Sequence, residues 1–195
     1  MTTASNGTGP YKPVVLIGGT AGTGKSSLAN RLCAELGLDH RIGTGFIRAV
    51  VCSETVPELD PELFSFTFRA DDPVAHLRIQ SERLRSAIVA CIRRAQEEGT
   101  SLVVEGPHLL PSLYWDIPVS THIVLAAPAP LEHRNRLTGP THSRRRISDE
   151  DWRNARLIDS HIAAEAERFG VPRVLYRDNL AEVAALVMGG QPARR

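Results

Sequence analysis

Apolar residues fall into two patterns along the chain. Short unbroken runs (PVVLIG at 13–18, LVV at 102–104, HIVLAA at 122–127 and RVLY at 173–176) read as buried strands. HRI at 40–42 reads as a further short strand. Between them, apolar residues recur every three or four positions. Leu28, Leu32 and Leu36 give residues 25–36 one apolar face, and Gly37 ends that helix. Residues 46–52 are helical in pattern. Asp72-Pro73 starts a helix that runs to about Glu98, with Leu77, Leu84, Ile88, Cys91 and Ala95 as its stripe and Gly99 closing it. Further helices are expected at 130–137, at 150–169 (Trp152, Ile158, Ile162, Ala166 and Phe169 inward) and at 180–188. Residues 53–70, with their prolines and acids, declare no element. Strands alternating with helices predict an α/β fold: a three-layer sandwich of a five-stranded parallel sheet with helices on both faces.

Composition changes this picture little. The chain has 195 residues, enough for one domain with a real core. Its formal net charge of +1 gives no field that would favour nucleic acid or membrane as a partner. Cys33, Cys52 and Cys91 lack metal or disulfide spacing and sit in helical patterns, so they read as buried free thiols in a reducing cytosol. Residues 1–12 lack an apolar signal core and read as a flexible tail, as do 189–195, leaving a domain at 13–188.

The strongest chemical signal follows the first strand. Residues 19–26, GTAGTGKS, fit G-x-x-x-x-G-K-[ST] in full. Glycines allow several backbone N–H groups to converge on one phosphate, and the following helix adds its positive end. Gly19, Thr20, Ala21, Gly22, Thr23, Gly24, Lys25, Ser26 and Ser27 are the expected nucleotide-binding residues. Lys25 would reach the outer phosphates and the Ser26 hydroxyl would bind Mg²⁺.

Glu105 ends the LVVE strand. In a parallel sheet the strands' C-terminal ends gather around the ligand. Glu105 is therefore expected near the phosphate loop, holding a water on Mg²⁺ or orienting a nucleophile. Many such strands end in Asp; this one ends in Glu. The alternative is a capping or salt-bridged acid. Residues 138–149 carry Arg144, Arg145 and Arg146, shortly after Arg134 and Arg136. As a lid, such a loop would place guanidinium groups around a transferring phosphoryl group, with Arg145 as the catalytic candidate, and exclude water. The alternative is a solvated basic surface. A guanine-reading N-K-x-D is absent, which disfavours a GTPase switch.

Five blocks in order resemble the 2-phosphoglycerate kinase family of P-loop kinases: GGTAGTGKSS, IGTGFIRAV, GTSLVVEGPHLLPS, EHRNRL before a basic lid, and ARLIDSHI followed by GVPRVLY. The resemblance covers most of the chain and implies a P-loop NTPase fold, ATP and Mg²⁺. By position it implies Arg48, His108, Arg136 and Arg156 as acceptor-binding residues. Facing the acceptor, the three arginines would converge on one pocket from three helices. Family members tend to carry an acid after the threonine of the second block; here Gly45 follows Thr44. Either Glu105 acts alone, or the acceptor differs, or turnover is weak.

The resulting expectation is a cytoplasmic kinase moving the γ-phosphoryl of ATP to a hydroxyl of a small, anionic, 2-phosphoglycerate-like metabolite, with a homodimer as a possible assembly. The alternatives are a kinase for an antibiotic, nucleotide-sugar or specialised-metabolite hydroxyl, and an ATP-binding regulatory protein with little turnover.

Overall fold

The structure is a computed structural model that describes residues 12–139, 146–177 and 180–189. Five parallel strands form one sheet in the order β2-β3-β1-β4-β5. They are β1 (Val14–Gly18), β2 (His40–Gly43), β3 (Leu102–Glu105), β4 (Thr121–Leu125) and β5 (Arg173–Val174). β1 and β3 are buried throughout, which is why their sequences run apolar rather than alternating.

Seven α-helices accompany the sheet among the described residues: α1 (Lys25–Leu36), α2 (Thr44–Ser53), α3 (Pro73–Glu98), α4 (Pro111–Tyr114), α5 (Pro130–Thr138), α6 (Asp149–Arg168) and α7 (Leu180–Gly189). The strand pleat sorts the core between the two faces. Val15, Ile17, Val103 and Ile123 pack under Leu28 and Leu32 of α1 and Val183 and Val187 of α7. Val14, Leu16, Leu102 and Val104 pack under Ile47 of α2 and Leu84, Ile88 and Ile92 of α3. Ile158 and Ile162 of α6 reach Val124 on that second side.

Helix starts follow side-chain chemistry. Asp72 caps α3 by accepting from the backbone of Val74 and Ala75, with Pro73 next. Ser148 and Asp151 form a capping box at α6, so Asp149, Glu150 and Asp151 lie in its first turn.

The differences from expectation are local. β5 is two residues long rather than four, because it pairs only with Val124 and Leu125 at the sheet edge. α4, at four residues, is too short to show a period. The segment 53–70 holds one 3₁₀ turn, Pro61–Phe64. Lys12 is not a tail residue: its ammonium pairs with Asp39 at 2.8 Å. Gly189 is the last residue of α7. The remaining expected tail positions, 1–11 and 190–195, lie outside the described residues. So do residues 140–145 of the expected lid, Arg144 and Arg145 among them. The three cysteines are free thiols, but half-buried rather than buried.

Candidate active site

β1 delivers the phosphate loop to the C-terminal edge of the sheet. Gly22 and Gly24 take φ of 78° and 93°, which a side chain would strain. Neighbours also press on both. A Cβ at Gly22 would lie 2.9 Å from Leu137 Cγ and 3.2 Å from His133 Cδ2; one at Gly24 would lie 3.0 Å from the Tyr176 ring. Thr20 Oγ1 donates to the carbonyl of Ala155 at 3.0 Å, tying the loop to α6. Thr23 Oγ1 donates to the carbonyl of Thr20 at 3.0 Å. Lys25 folds inward, its Nζ donating to the same Thr20 carbonyl, and is 7% exposed, whereas Ser26 and Ser27 are exposed.

Glu105 arrives opposite Ile17 in the β1–β3 register. Ser26 Oγ donates to Glu105 Oε1 at 2.9 Å. Arg41, the second residue of β2, donates to the same oxygen at 3.2 Å. Glu105 is thus near the loop, as expected, and also salt-bridged, as the alternative reading had it. Arg41 carried no sequence signal, because its partner lies on another strand.

The pair also fits a magnesium ion. A hydroxyl and a carboxylate stand side by side at the head of α1, and Mg²⁺ takes oxygen donors while keeping several waters and substrate phosphates. Among the described residues no group of three or more His, Cys, Asp or Glu could hold a metal ion; a site of this kind needs none.

His108 is 2% exposed, and protein groups occupy both ring nitrogens. Nδ1 lies 2.8 Å from Thr44 Oγ1 and Nε2 lies 3.1 Å from Gln80 Oε1. Burial, reinforced by the nearby cations Arg48 and Lys25, pushes the imidazole pKa down to about 3, so the ring is neutral. The expected direct contact between His108 and an acceptor is therefore not what this geometry offers. Beside it, a Cβ at Gly45 would meet nothing within 4 Å. Phe46, 71% exposed, lies next to Gly43 and Glu105: a Cβ at Gly43 would be 3.6 Å from Phe46 Cδ2 and 3.1 Å from Glu105 Oε1.

Each of the three expected acceptor arginines is held by a protein partner of its own. Arg48 Nη1 holds the carbonyl of Ser65 at 2.8 Å, and its charge is felt at His108. Arg156 Nη1 holds the carbonyl of Pro128 at 2.9 Å. Arg136 pairs with Glu132 at 2.5 Å, and its Nη1 would lie 3.8 Å from a Cβ at Gly24, where Tyr176 also packs. Arg136 therefore stands beside the phosphate loop. Of the lid, Arg146 is described: its φ is 43° and its carbonyl accepts from Arg69 Nη2 at 3.2 Å.

His133 is a second site residue without a sequence signal. It is wholly buried, and its Nε2 lies 2.8 Å from the carbonyl of Ala21, so the neutral ring donates there and fastens α5 to the phosphate loop. Burial again lowers its pKa.

Residues 15–163 match the protein family described as the AAA domain. The chain belongs to that family. Within this AAA-domain chain, the match spans the phosphate loop, Glu105 and most of α6. The chain is 30% identical to a 2-phosphoglycerate kinase of Pyrococcus horikoshii over 192 residues, covering 90% of this chain and 62% of that protein. It is 26% identical to the 2-phosphoglycerate kinase of Methanothermobacter thermautotrophicus over 196 residues, covering 89% and 64%. The chain thus spans about three fifths of the length of these curated relatives. Among solved structures, a shikimate kinase from Acinetobacter baumannii in complex with shikimate superimposes with a TM-score of 0.57 at 10% identity, over 92% of this chain and 95% of that one. A deoxyadenosine kinase from M. mycoides with bound dATP gives 0.52 at 13% identity, over 90% and 97%. At such identities the likeness concerns the fold, and it agrees with the five-stranded P-loop architecture. No helix among the described residues is long and apolar enough to cross a membrane.

Proposed function

We propose that the chain is an ATP-dependent kinase that transfers the γ-phosphoryl group to a hydroxyl of a small anionic metabolite resembling 2-phosphoglycerate. The observation that carries this reading is the Ser26–Glu105 contact at the head of the phosphate loop, supported by the 2-phosphoglycerate kinases that the chain resembles along most of its length. Gly19 to Ser27 would cradle the phosphates, and Lys25 would leave the Thr20 carbonyl for the outer phosphate oxygens. Ser26 and Glu105 would hold Mg²⁺, which would supply positive charge against the phosphates.

The acceptor hydroxyl oxygen forms the new P–O bond, the bond to the β-phosphate oxygen breaks, and ADP leaves. Glu105 orients the hydroxyl and takes its proton, directly or through one water. Arg48 supplies positive charge on the acceptor side, suited to a carboxylate or phosphate. Arg156 and Arg136 supply it along the loop, and Arg145 of the lid would face the transferred group. His108 supports this half of the site from below. We place the activity in the cytoplasm, with a homodimer as a possible assembly.

Open space at Gly45 favours one second reading, a bulkier acceptor such as an antibiotic, nucleotide-sugar or specialised-metabolite hydroxyl. A coupled assay for ADP tests both. The acceptor panel contains 2-phosphoglycerate, other phosphorylated or carboxylated alcohols, their uncharged analogues and larger alcohols, with ATP alone and Lys25→Met as controls. Preference for anionic acceptors supports the first reading, and preference for large neutral ones the second. ATP binding with no transfer to any acceptor would leave a nucleotide-binding regulatory protein.

A further inference from the structure

Gln80 of α3 is wholly buried, yet its carboxamide is saturated with hydrogen bonds. Its Oε1 lies 2.7 Å from Thr67 Oγ1 and 3.1 Å from His108 Nε2. Its Nε2 donates to the carbonyls of Glu62 and Ser65, the latter at 3.1 Å, and lies 3.1 Å from His76 Nε2. Carbonyl oxygens only accept, so the amide nitrogen must face them, and the orientation of the side chain is decided. Oε1 then faces His108 and can only accept.

His108 Nε2 must therefore carry the ring's proton. In a neutral ring Nδ1 is then an acceptor, and it takes the hydroxyl proton of Thr44. Thr44 is itself fully buried at the start of α2. Its Oγ1 fills the place of a missing side chain: a Cβ at Gly106 would lie 1.8 Å away. From the other side, the Gly106 amide donates to the carbonyl of Ile17 at 3.1 Å. The backbone that carries Glu105 is thus clasped between β1 and Thr44. A continuous run of hydrogen bonds leads from the 62–67 loop through Gln80 and His108 to that clasp.

We propose that Gln80 is the positioning residue of the acceptor side: it locks His108 in the Nε2–H tautomer, and through His108 and Thr44 it holds the Glu105–Gly106 turn against α2. The inference deepens the kinase reading and rests on it for its effect on turnover. Gln80 touches no reacting atom. A purely structural role would ask only that the space be filled. A buried amide that engages the 62–67 loop, His76 and His108 at once fixes direction as well as volume. His108 then serves as a strut whose hydrogen-bond polarity is set by Gln80, and it moves no proton during the reaction.

The first test is ¹H–¹⁵N correlation of the imidazole nitrogens in the full-length, ¹⁵N-labelled protein at neutral pH, with His108→Asn for assignment. The expected result is a neutral His108 protonated on Nε2. A ring protonated on Nδ1, or on both nitrogens, overturns the proposal. Gln80→Met removes every polar contact: the tautomer signature should be lost, exchange of the Gly106 amide should quicken, and kcat should fall about tenfold or more while the apparent ATP constant changes little. Gln80→Glu keeps an acceptor for His108, so it should retain the Nε2–H signature and recover part of the turnover. A folded Gln80→Met protein with wild-type kcat and wild-type Gly106 exchange overturns the proposal. Should that variant fail to fold, the wild-type tautomer and Gln80→Glu decide. Should no acceptor be phosphorylated by the wild type, the kinase reading fails alone, and the tautomer and the Gly106 amide still decide whether Gln80 holds the turn.

Discussion

Ser26 Oγ and Glu105 Oε1 stand 2.9 Å apart, joining the first turn of α1 to the end of β3. The two residues are 79 positions apart in sequence, and the parallel register of β1 with β3 brings them together. The contact sets the hydroxyl and the carboxylate that a phosphate-bound magnesium ion would use before any ligand arrives. Such preorganisation avoids reorganisation cost at the moment of transfer.

Glu105→Gln keeps the shape and removes the charge. With Glu105 acting on the reacting hydroxyl or its water, as proposed, turnover should fall about a hundredfold or more. ATP affinity should change far less, since an amide oxygen can still accept from Ser26 and the contacts of Thr20, Thr23 and Lys25 are untouched. Steady-state kinetics with a fluorescent nucleotide titration separate the two effects. A variant with normal turnover and a lowered melting temperature would make Glu105 a structural acid.

Arg41 shares Oε1 with Ser26 and is partly exposed, its side chain at 30%. Its contribution to stability should be small, as for other exposed pairs. Its effect on the orientation of the Glu105 carboxylate should be larger. Arg41→Met is expected to lower kcat several-fold to about tenfold with little change in melting temperature. Arg41→Lys should recover part of the loss, because the charge returns but the planar fork does not. Wild-type kcat in Arg41→Met would show that Ser26 alone orients the carboxylate.

The phosphate loop and Glu105 were legible because each is local. One is a contiguous motif between a strand and a helix; the other is an acid that ends an apolar run. Sheet parallelism alone then brings them together. Arg41, Gln80 and His133 were not legible, since each acts through a partner far away in sequence, and periodicity along one element says nothing about such partners. His108 was visible as a residue, but its surroundings decide that it is buried and neutral. Arg136 was singled out by its block, and its place beside Gly24 follows from the packing of α5 on the phosphate loop.

Burial makes this fold sensitive to acid. His108 and His122 are protonated in the unfolded chain near the ordinary value of about 6.5. In the fold burial lowers them to about 3 and about 4. Between those values the unfolded state binds more protons, so stability rises with pH there. It is fully present above the unfolded value and is lost as pH falls toward the folded ones. At about pH 5 each ring accounts for a loss of up to about 2 kcal/mol relative to neutral pH. Urea midpoints measured at about pH 7.5 and about pH 5 should show the drop. A flat profile across that window would mean that both rings can take up a proton without leaving the fold.

Gly45 offers the sharpest test of what the acceptor needs. It is the second residue of α2, and a Cβ there would meet nothing within 4 Å. Its backbone is not in the left-handed region that favours glycine. Gly45→Asp should therefore fit without strain. It replaces the residue least suited to a helix among those that leave the backbone amide free, which favours the fold by some tenths of a kcal/mol. It also places a negative charge in the first turn of a helix with no acid there, worth about 0.3–1 kcal/mol. The urea midpoint should rise slightly. The new carboxylate would stand in the open space at the start of α2, where it could hold an acceptor hydroxyl or a metal-bound water. If 2-phosphoglycerate is the acceptor and Glu105 works alone, Gly45→Asp should raise turnover of 2-phosphoglycerate or leave it unchanged. If the open space instead serves a bulkier acceptor, the variant should lose activity on that acceptor while its ATP constant holds. A stable variant whose acceptor profile matches the wild type for every compound tested would show that position 45 faces no substrate, and the acceptor would then have to bind nearer Arg48 and the Ser65 loop.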